Sequence, residues 1–392
     1  MSGRYLLKGG TIVTPEKVYS SGLRIDAGRV ADIAEDLKEH RGEIVMDCSG
    51  HFLFPGLINA HDHLPFNLFP QLGNPPYANS YDWGNDIHSR CKSAIDKITR
   101  IPLRERLIWG AWKNLFSGVT SVVHHDPFYS PFRLGYPLHV LKQYTFAHSL
   151  GFEPDMRRAL SSRRKDRPFI THLAEGTDER AATEVARLKK LGGLDDRTVA
   201  VHAVGIDEHD VKTLQDAKAS VVWCPASNMF LLNRTAPIDL LSGKVPIAIG
   251  TDSTLTGSLT LFDELRTARQ LYAFTAKELF SMVTETPRRI FRMQRDVGTI
   301  AIGAKANLFL VKAAQSGPYM TLLNAQPGDI SALFCEGSLR FCDQSLGVLS
   351  GREPAGDAEV RLNGKTKRVS SRSFARCYEM LKPFLTHYTY LN

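Results

Sequence analysis

The chain has 392 residues, 43% of them hydrophobic, and a formal net charge of +8. That is enough apolar material for one large domain with a smaller accessory unit, and it excludes a disordered chain. No apolar run reaches membrane-spanning length, and Met1 to Lys8 lack the apolar core and small-residue site of a secretory leader, so a cytoplasmic protein with no membrane partner is expected.

Taken in chain order, residues 4 to 50 read as short strands: Tyr5–Leu7, Gly10–Val13, Gly22–Ile25, Arg29–Ile33 and Glu43–Met46, with turn chemistry at Asp26-Ala27-Gly28. Residues 53 to about 295 alternate strand and helix signals, as a parallel barrel requires. This part opens on Phe54-Pro55-Gly56-Leu57-Ile58-Asn59-Ala60-His61-Asp62-His63. Residues two apart on a strand share a face, so His61 and His63 can chelate one divalent cation. Three further donors end strand-like runs: His172 after Arg167–Thr171, His202 after Thr198–Val201, and Asp252 after Val245–Thr251. Strand ends converge at one mouth of a (β/α)8 barrel, and His with Asp donors suits Zn²⁺ or Fe²⁺ better than Ca²⁺.

Strand signals return at Gly298–Ile300, Ala306–Val311, Ile330–Phe334 and Leu339–Phe341. A terminal helix over Ser371–Lys382 carries Phe374, Cys377, Met380 and Leu381 at helical spacing and stops at Pro383. One stretch is too short. Only about 45 residues separate the second barrel strand, Thr120–His124, from the strand leading to His172, where two strand–helix units would need ~30 residues each. Gln143–Ala147 supplies one strand there, so a compressed or irregular third or fourth strand is expected.

These motifs, in this order, resemble the amidohydrolase superfamily, in its branch of cytosine deaminase, guanine deaminase and the triazine hydrolases. The H-x-H reads His61/His63, the H-x-x-E reads His172/Glu175, and the later His and Asp read His202 and Asp252. The C-P-x-S-N segment is Cys224-Pro225-Ala226-Ser227-Asn228. The resemblance implies a (β/α)8 hydrolase barrel over 53–296. It also implies a small β-sandwich built from 1–52 and 297–362, with 363–392 as a helical tail. It implies one divalent metal ion, Zn²⁺ with Fe²⁺ as the alternative, held by His61, His63, His172 and Asp252. No lysine suits the bridging position of two-metal members, since Lys142 begins a strand and Lys165 lies in a basic cluster.

The chemistry then expected is hydrolysis of a C–N bond by metal-activated water. Asp252 both ligates and accepts the water's proton. His202 hydrogen-bonds the attacking hydroxide and the developing oxyanion. Glu175 hands a proton to a ring nitrogen, which favours deamination of an amino-substituted heterocycle. The alternatives are hydrolysis of an amide, lactam or halo-heterocycle, or a non-catalytic scaffold of the same fold. The partner expected is a planar nitrogenous small molecule. Phe66, Trp83, His125 and Asn228 are candidate substrate contacts, with Ser227 and Asn228 also fixing a turn. The loop from Leu64 to Trp83 admits three readings: a ring sandwich, a hydrophobic plug or a subunit contact, and a homodimer stays open. His88, His139, His148 and His209 read as ordinary surface or helix residues. The six cysteines lack C-x-x-C spacing and read as reduced thiols. The cluster Arg157, Arg158, Arg163, Arg164, Lys165, Arg167 has no aromatic interleaving or recognition motif, so a nucleic-acid partner is not expected.

Overall fold

The N-terminal strands are β1 (Tyr5–Val13), β2 (Val18–Asp26), β3 (Arg29–Ala34), β4 (Ile44–Asp47) and β5 (His51–Pro55). They are seen in a computed structural model that describes residues 3–151, 156–344, 346 and 358–391. Gly56 separates β5 from the first barrel strand.

The barrel strands are β6 (Leu57–Asp62), β7 (Val119–His124), β8 (His139–Val140), β9 (Thr145–Ser149), β10 (Phe169–Leu173), β11 (Thr198–His202), β12 (Ser220–Trp223) and β13 (Ile247–Ile249). They form two parallel arcs, β13-β12-β11-β10-β9 and β6-β7-β8. The strands are rich in apolar residues because both faces are covered, with the histidines of β6, β7, β10 and β11 toward the strand ends at the site. Ala60, Val123, Ile170, Val199, Val201, Val222 and Ala248 pack together, while Leu57, Val122, Phe169, Ala200, Val221 and Ile249 belong to the larger core shared with the helices.

The two arcs meet differently on their two sides. Between β13 and β6, the Thr251 and Asp252 amides both donate to the His61 carbonyl at 3.0 Å. Gly250 makes this approach possible: a Cβ there would lie 2.6–2.9 Å from His61 atoms. Between β8 and β9 no strand pairing is present among the described residues. β8 has two residues, and only four residues, Leu141–Tyr144, connect it to β9, with no helix. The expected compression is therefore a missing crossover helix and a strand reduced to a remnant. The Tyr144 hydroxyl spans the seam instead, donating to the His124 carbonyl and, at 3.3 Å, to that of Asp126.

The chain then returns to the first sheet through β14 (Leu308–Lys312), β15 (Ile330–Cys335), β16 (Ser338–Asp343), β17 (Ala358–Leu362) and β18 (Lys365–Val369). The order is β17-β18-β16-β15-β14-β5-β1-β2-β3, with β4 beside β1. Side chains alternate between two cores. Leu308, Leu310, Ala332 and Phe334 join Leu7, Leu23 and Leu53 inside a curled sheet, and Tyr5 meets Phe334 at 5.0 Å across it. Phe309, Val311 and Leu333 face the barrel instead.

Three features differ from the sequence reading. Gly298–Ile300 forms no strand. The β17–β18 hairpin was not anticipated, although Asn363-Gly364, both at positive φ, is a strong two-residue hairpin signal. The terminal helix (Arg372–Leu381) buries Phe374, Cys377 and Leu381 but leaves Met380 44% exposed. Beyond it, the buried Tyr388 hydroxyl donates to the Asn67 carbonyl. All six cysteines are free thiols. In the basic cluster, Arg163 is spent on the Gly192 and Gly193 carbonyls and Asp195.

Candidate metal centre and active site

His61 lies near the end of β6 and His63 directly follows it, His172 lies near the end of β10, His202 ends β11, and Asp252 follows β13. The topology brings all five side chains to one mouth. His172 Nε2 is 3.2 Å from His61 Nε2 and 3.4 Å from His63 Nε2. Asp252 Oδ1 is 3.6 Å from His61 Nε2 and 3.7 Å from His63 Nε2. Tetrahedral donors at ~2.0–2.1 Å from Zn²⁺ lie about 3.3–3.4 Å apart. Three nitrogens and one oxygen at 3.2–3.7 Å therefore fit around one cation, with a water as a further ligand on the cavity side. All four residues are at least nine-tenths buried, and their facing nitrogen and oxygen atoms suit a shared cation.

Neighbouring side chains aim these donors. Asp252 Oδ2 accepts from Ser227 Oγ at 2.8 Å and Thr256 Oγ1 at 2.7 Å, which turns Oδ1 toward the histidines. Burial works against ionising Asp252, but His61, His63 and His202 outweigh it and hold its carboxyl well below the usual range. His63 Nδ1 pairs with Asp126 Oδ2 at 3.1 Å. Burial opposes the charge on His63 as well, yet Asp126, Asp252 and Asp62 raise its pKa to about 9. Asp252 and His202 both adopt positive φ, at 56° and 75°. Such backbone costs about 1–3 kcal/mol per residue and clusters where a side chain must be aimed.

His202 Nδ1 donates to Asn228 Oδ1 at 2.8 Å, leaving Nε2 as an acceptor 3.4 Å from Glu175 Oε1. Glu175 follows Ala174, itself at φ 54°. Its carboxyl is buried, and burial raises its pKa, helped by Asp252 and opposed by His202. It is thus a carboxyl inclined to keep a proton, beside a ring nitrogen that can receive one. Its loop is tied to the overhanging loop through Ser80 N to Glu175 O at 3.0 Å and Thr177 N to Ala78 O at 2.8 Å.

The cavity above these groups has a volume of about 80 Å³, and Phe66, Trp83, Leu231 and Leu255 supply its apolar lining. Trp83 spends its indole N–H on the Leu72 carbonyl, which presents the ring and not the donor. Within the Leu64–Trp83 loop the side chains divide: Phe66 and Trp83 line the cavity, whereas Phe69 is core. Two expected substrate contacts lie elsewhere. Asn228 does not line the cavity, because its Oδ1 is spent on His202. His125 sits behind the donors, its ring stacked on His172 at 4.3 Å. Ser227 and Asn228 act on site side chains and not only on their own turn.

Other positions in and around the site escaped the sequence reading. His148, on β9, lines the cavity and is no ordinary surface residue. His139 lies on β8 at a separate hollow. Asp62, between the two histidines, points away from the centre into a buried polar cluster. It accepts from Asn67 at 2.7 Å, Asn114 at 2.7 Å and Asn59 at 3.1 Å, with Lys113 Nζ at 3.9 Å. Lys113 also donates to Thr251 Oγ1 at 3.1 Å, joining the H-x-H strand to the segment before Asp252. The available signal was a Lys-Asn pair inside the otherwise apolar stretch Leu107–Leu115.

Comparison with known proteins gives a consistent picture. The sequence profile of the amidohydrolase family matches residues 143–340. A 5′-deoxyadenosine deaminase of Methanothermobacter thermautotrophicus is 24% identical, over 90% of this chain and 98% of its own length. A 5-methylthioadenosine/S-adenosylhomocysteine deaminase of Moorella thermoacetica is 32% identical over 48% of this chain and 47% of its own. Among solved structures, a zinc-bound adenosine deaminase from Xanthomonas campestris superposes with a TM-score of 0.72 at 17% identity, covering 97% of this chain and 98% of that one. The zinc complex of an atrazine chlorohydrolase from Arthrobacter aurescens gives 0.74 at 15% identity, covering 97% and 100%.

Proposed function

The chain belongs to the amidohydrolase family, and from that premise we propose that it is a metal-dependent deaminase of an amino-substituted purine-like ring. The observation that carries this reading is Glu175, a buried carboxyl of raised pKa, 3.4 Å from His202 Nε2 and lining the same cavity as His63, His172 and Asp252. The sequence relatives named for adenosine-type deamination favour the same class of substrate.

His61, His63, His172 and Asp252 would hold one divalent ion, with Zn²⁺ the first choice and Fe²⁺ the alternative. Such an ion, when bound, lowers the pKa of a water toward neutrality and so supplies the nucleophile. The chain's own residues do the rest. Phe66 and Trp83 exclude water and present apolar faces to a planar ring. Asp252, ionised and fixed through Oδ2 by two hydroxyls, would use Oδ1 both to hold the ion and to accept the water's proton. Glu175 delivers a proton to the ring nitrogen next to the attacked carbon. His202, fixed by Asn228 as the Nδ1–H tautomer, offers Nε2 to the hydroxyl that forms on that carbon. Asp252 passes the proton taken from water to the exocyclic nitrogen, which leaves as ammonia. The hydroxyl on the attacked carbon gives its proton to Glu175 as the carbonyl forms, so both carboxyls return to their starting states. At about 80 Å³ the cavity is small beside the ~300–1,000 Å³ of common ligand clefts. A substrate larger than one ring system therefore requires the loops bearing Phe66 and Trp83 to open.

The test is ammonia release by zinc-loaded protein across adenine, adenosine, 5′-deoxyadenosine, 5-methylthioadenosine, guanine, cytosine and aminotriazines. Turnover of an adenine-type member is expected. Glu175→Gln should lower kcat by about 10²–10⁴-fold while the protein retains its metal. Release of chloride or amine from triazines with no ammonia from any purine would overturn the reading.

A further inference from the structure

His125 follows β7, is fully buried, and touches two groups through its two ring nitrogens. Nε2 lies 3.2 Å from the Ala147 carbonyl on β9, and Nδ1 lies 3.4 Å from His61 Nδ1. A carbonyl oxygen can only accept, so the neutral ring carries its proton on Nε2 and a lone pair on Nδ1. Two facing ring nitrogens pair only as donor and acceptor. His61 must then be protonated at Nδ1, which leaves the Nε2 lone pair facing His172 Nε2 at 3.2 Å and Asp252 Oδ1 at 3.6 Å.

We propose that His125 is a positioning residue that sets the tautomer of His61 through a relay from the Ala147 carbonyl. The inference rests on the reading of the site as a metal centre, and it adds how that centre is prepared. Holding the other nitrogen of a metal-binding imidazole as a donor fixes its tautomer and ring orientation. His63 gets this directly from Asp126, the next residue after His125. His61 gets it at one remove, from a second imidazole. His172 Nδ1, by contrast, is buried with no hydrogen-bond partner among the described residues. Orientation is thus enforced on the β6 pair. The clustering of His125 nitrogens with those of His61, His63 and His172 also raises the possibility of a fourth imidazole ligand. The geometry argues against it, because both His125 nitrogens are already engaged, one of them with the far side of His61.

The relay has a second consequence. The bond to Ala147 crosses the seam at which β8 and β9 lack a backbone ladder. The orientation of a candidate ligand is therefore coupled to the weakest join in the barrel.

The test compares wild type, His125→Phe and His125→Asn. Asn places an amide oxygen where Nδ1 stood, so it restores the acceptor for His61. For each protein, zinc and Co²⁺ affinity, the visible spectrum of the Co²⁺ form and the melting temperature without metal are measured. His125→Phe should weaken metal binding by about 10–100-fold and alter the Co²⁺ spectrum, and His125→Asn should recover most of both. Wild-type affinity and spectrum in His125→Phe, or no recovery in His125→Asn, would overturn the relay. Loss of a coordinated imidazole in His125→Asn would overturn it in favour of a ligand role. Failure of wild type itself to bind metal would sink the metal reading beneath it and is told apart at once. Should His125→Phe not fold, long-range ¹H–¹⁵N spectra of the wild-type protein decide the matter. They should show His61 protonated at Nδ1 and His125 at Nε2, and the opposite tautomer on either ring would refute the proposal.

Discussion

The two arcs of the barrel carry the site by different means. In β9–β13, every pair of neighbouring strands is joined by a parallel ladder that shifts register once, between Ile170 and His172, and Leu173 lies beside His202 in register. His172, His202 and Asp252 are placed there by strand length and by where each strand stops. In β6–β8 the ladder is interrupted twice, with register shifts on both sides of Asn59, and ends on a two-residue strand. There the buried polar side chains of Asp62, Lys113, Asn114, His125 and Asp126 do the placing. Backbone pairing fixes a position once per strand, whereas a side-chain network must be satisfied atom by atom in a low-dielectric interior.

The contrast can be broken from either side. The largest effect is expected from the ladder arc: Asp252→Ala should remove the metal and reduce turnover to background, with little change in melting temperature of the metal-free protein. Metal analysis beside calorimetry checks both halves. In the side-chain arc the expectation reverses, toward folding. Lys113→Met leaves the Asp62 cluster buried without its cation and should cost about 3–5 kcal/mol, read by urea unfolding. A loss under 1 kcal/mol would mean that the cluster is not what orders this arc.

A pH effect sharpens the ladder side. Glu264 is buried and accepts from the Ala226 and Ser258 amides at 3.0 Å each. Burial raises its pKa to about 7. The folded state then binds more protons than the unfolded state between about pH 4.5 and 7. Stability from this group is present below that window and falls as pH rises through it, by at most about 3 kcal/mol. Glu264→Gln should flatten the stability profile there, and an unchanged slope would refute the assignment. The smallest effect is expected at the seam itself. Tyr144→Phe removes the hydroxyl that bridges to the His124 and Asp126 carbonyls and should cost about 1–2 kcal/mol, with hydrogen exchange rising first in β8 and β9.

The same division explains what the sequence made legible. The His61/His63 pair on one strand face, the donors at the ends of apolar runs and the strand–helix alternation follow from periodicity, because strand period and strand ends are local properties, whereas the eight-strand plan comes from the family resemblance. The 45-residue shortfall also announced itself as a length that cannot hold two crossovers. How the shortfall is resolved did not, since a two-residue strand has no periodicity to detect. The roles of Asp62, Lys113, His125, Asp126 and His148 were hidden for a related reason. Each depends on a partner in another segment, 50 or more residues away for the Lys113–Asp62, His125–His61 and Asp126–His63 pairs. Asn228 shows the same limit in reverse: the motif drew attention to the residue, but its partner His202 set its task.

One feature of the outer sheet bears on how the polypeptide is made. β5 finds its partner β14 only after roughly 250 intervening residues. At synthesis rates of about 5–20 residues per second, the β5 edge waits some tens of seconds for a neighbour. An unpaired apolar edge of that kind is an aggregation hazard. Chaperone demand and inclusion-body formation during expression should therefore depend on translation speed across the barrel more than on the final stability of the folded protein.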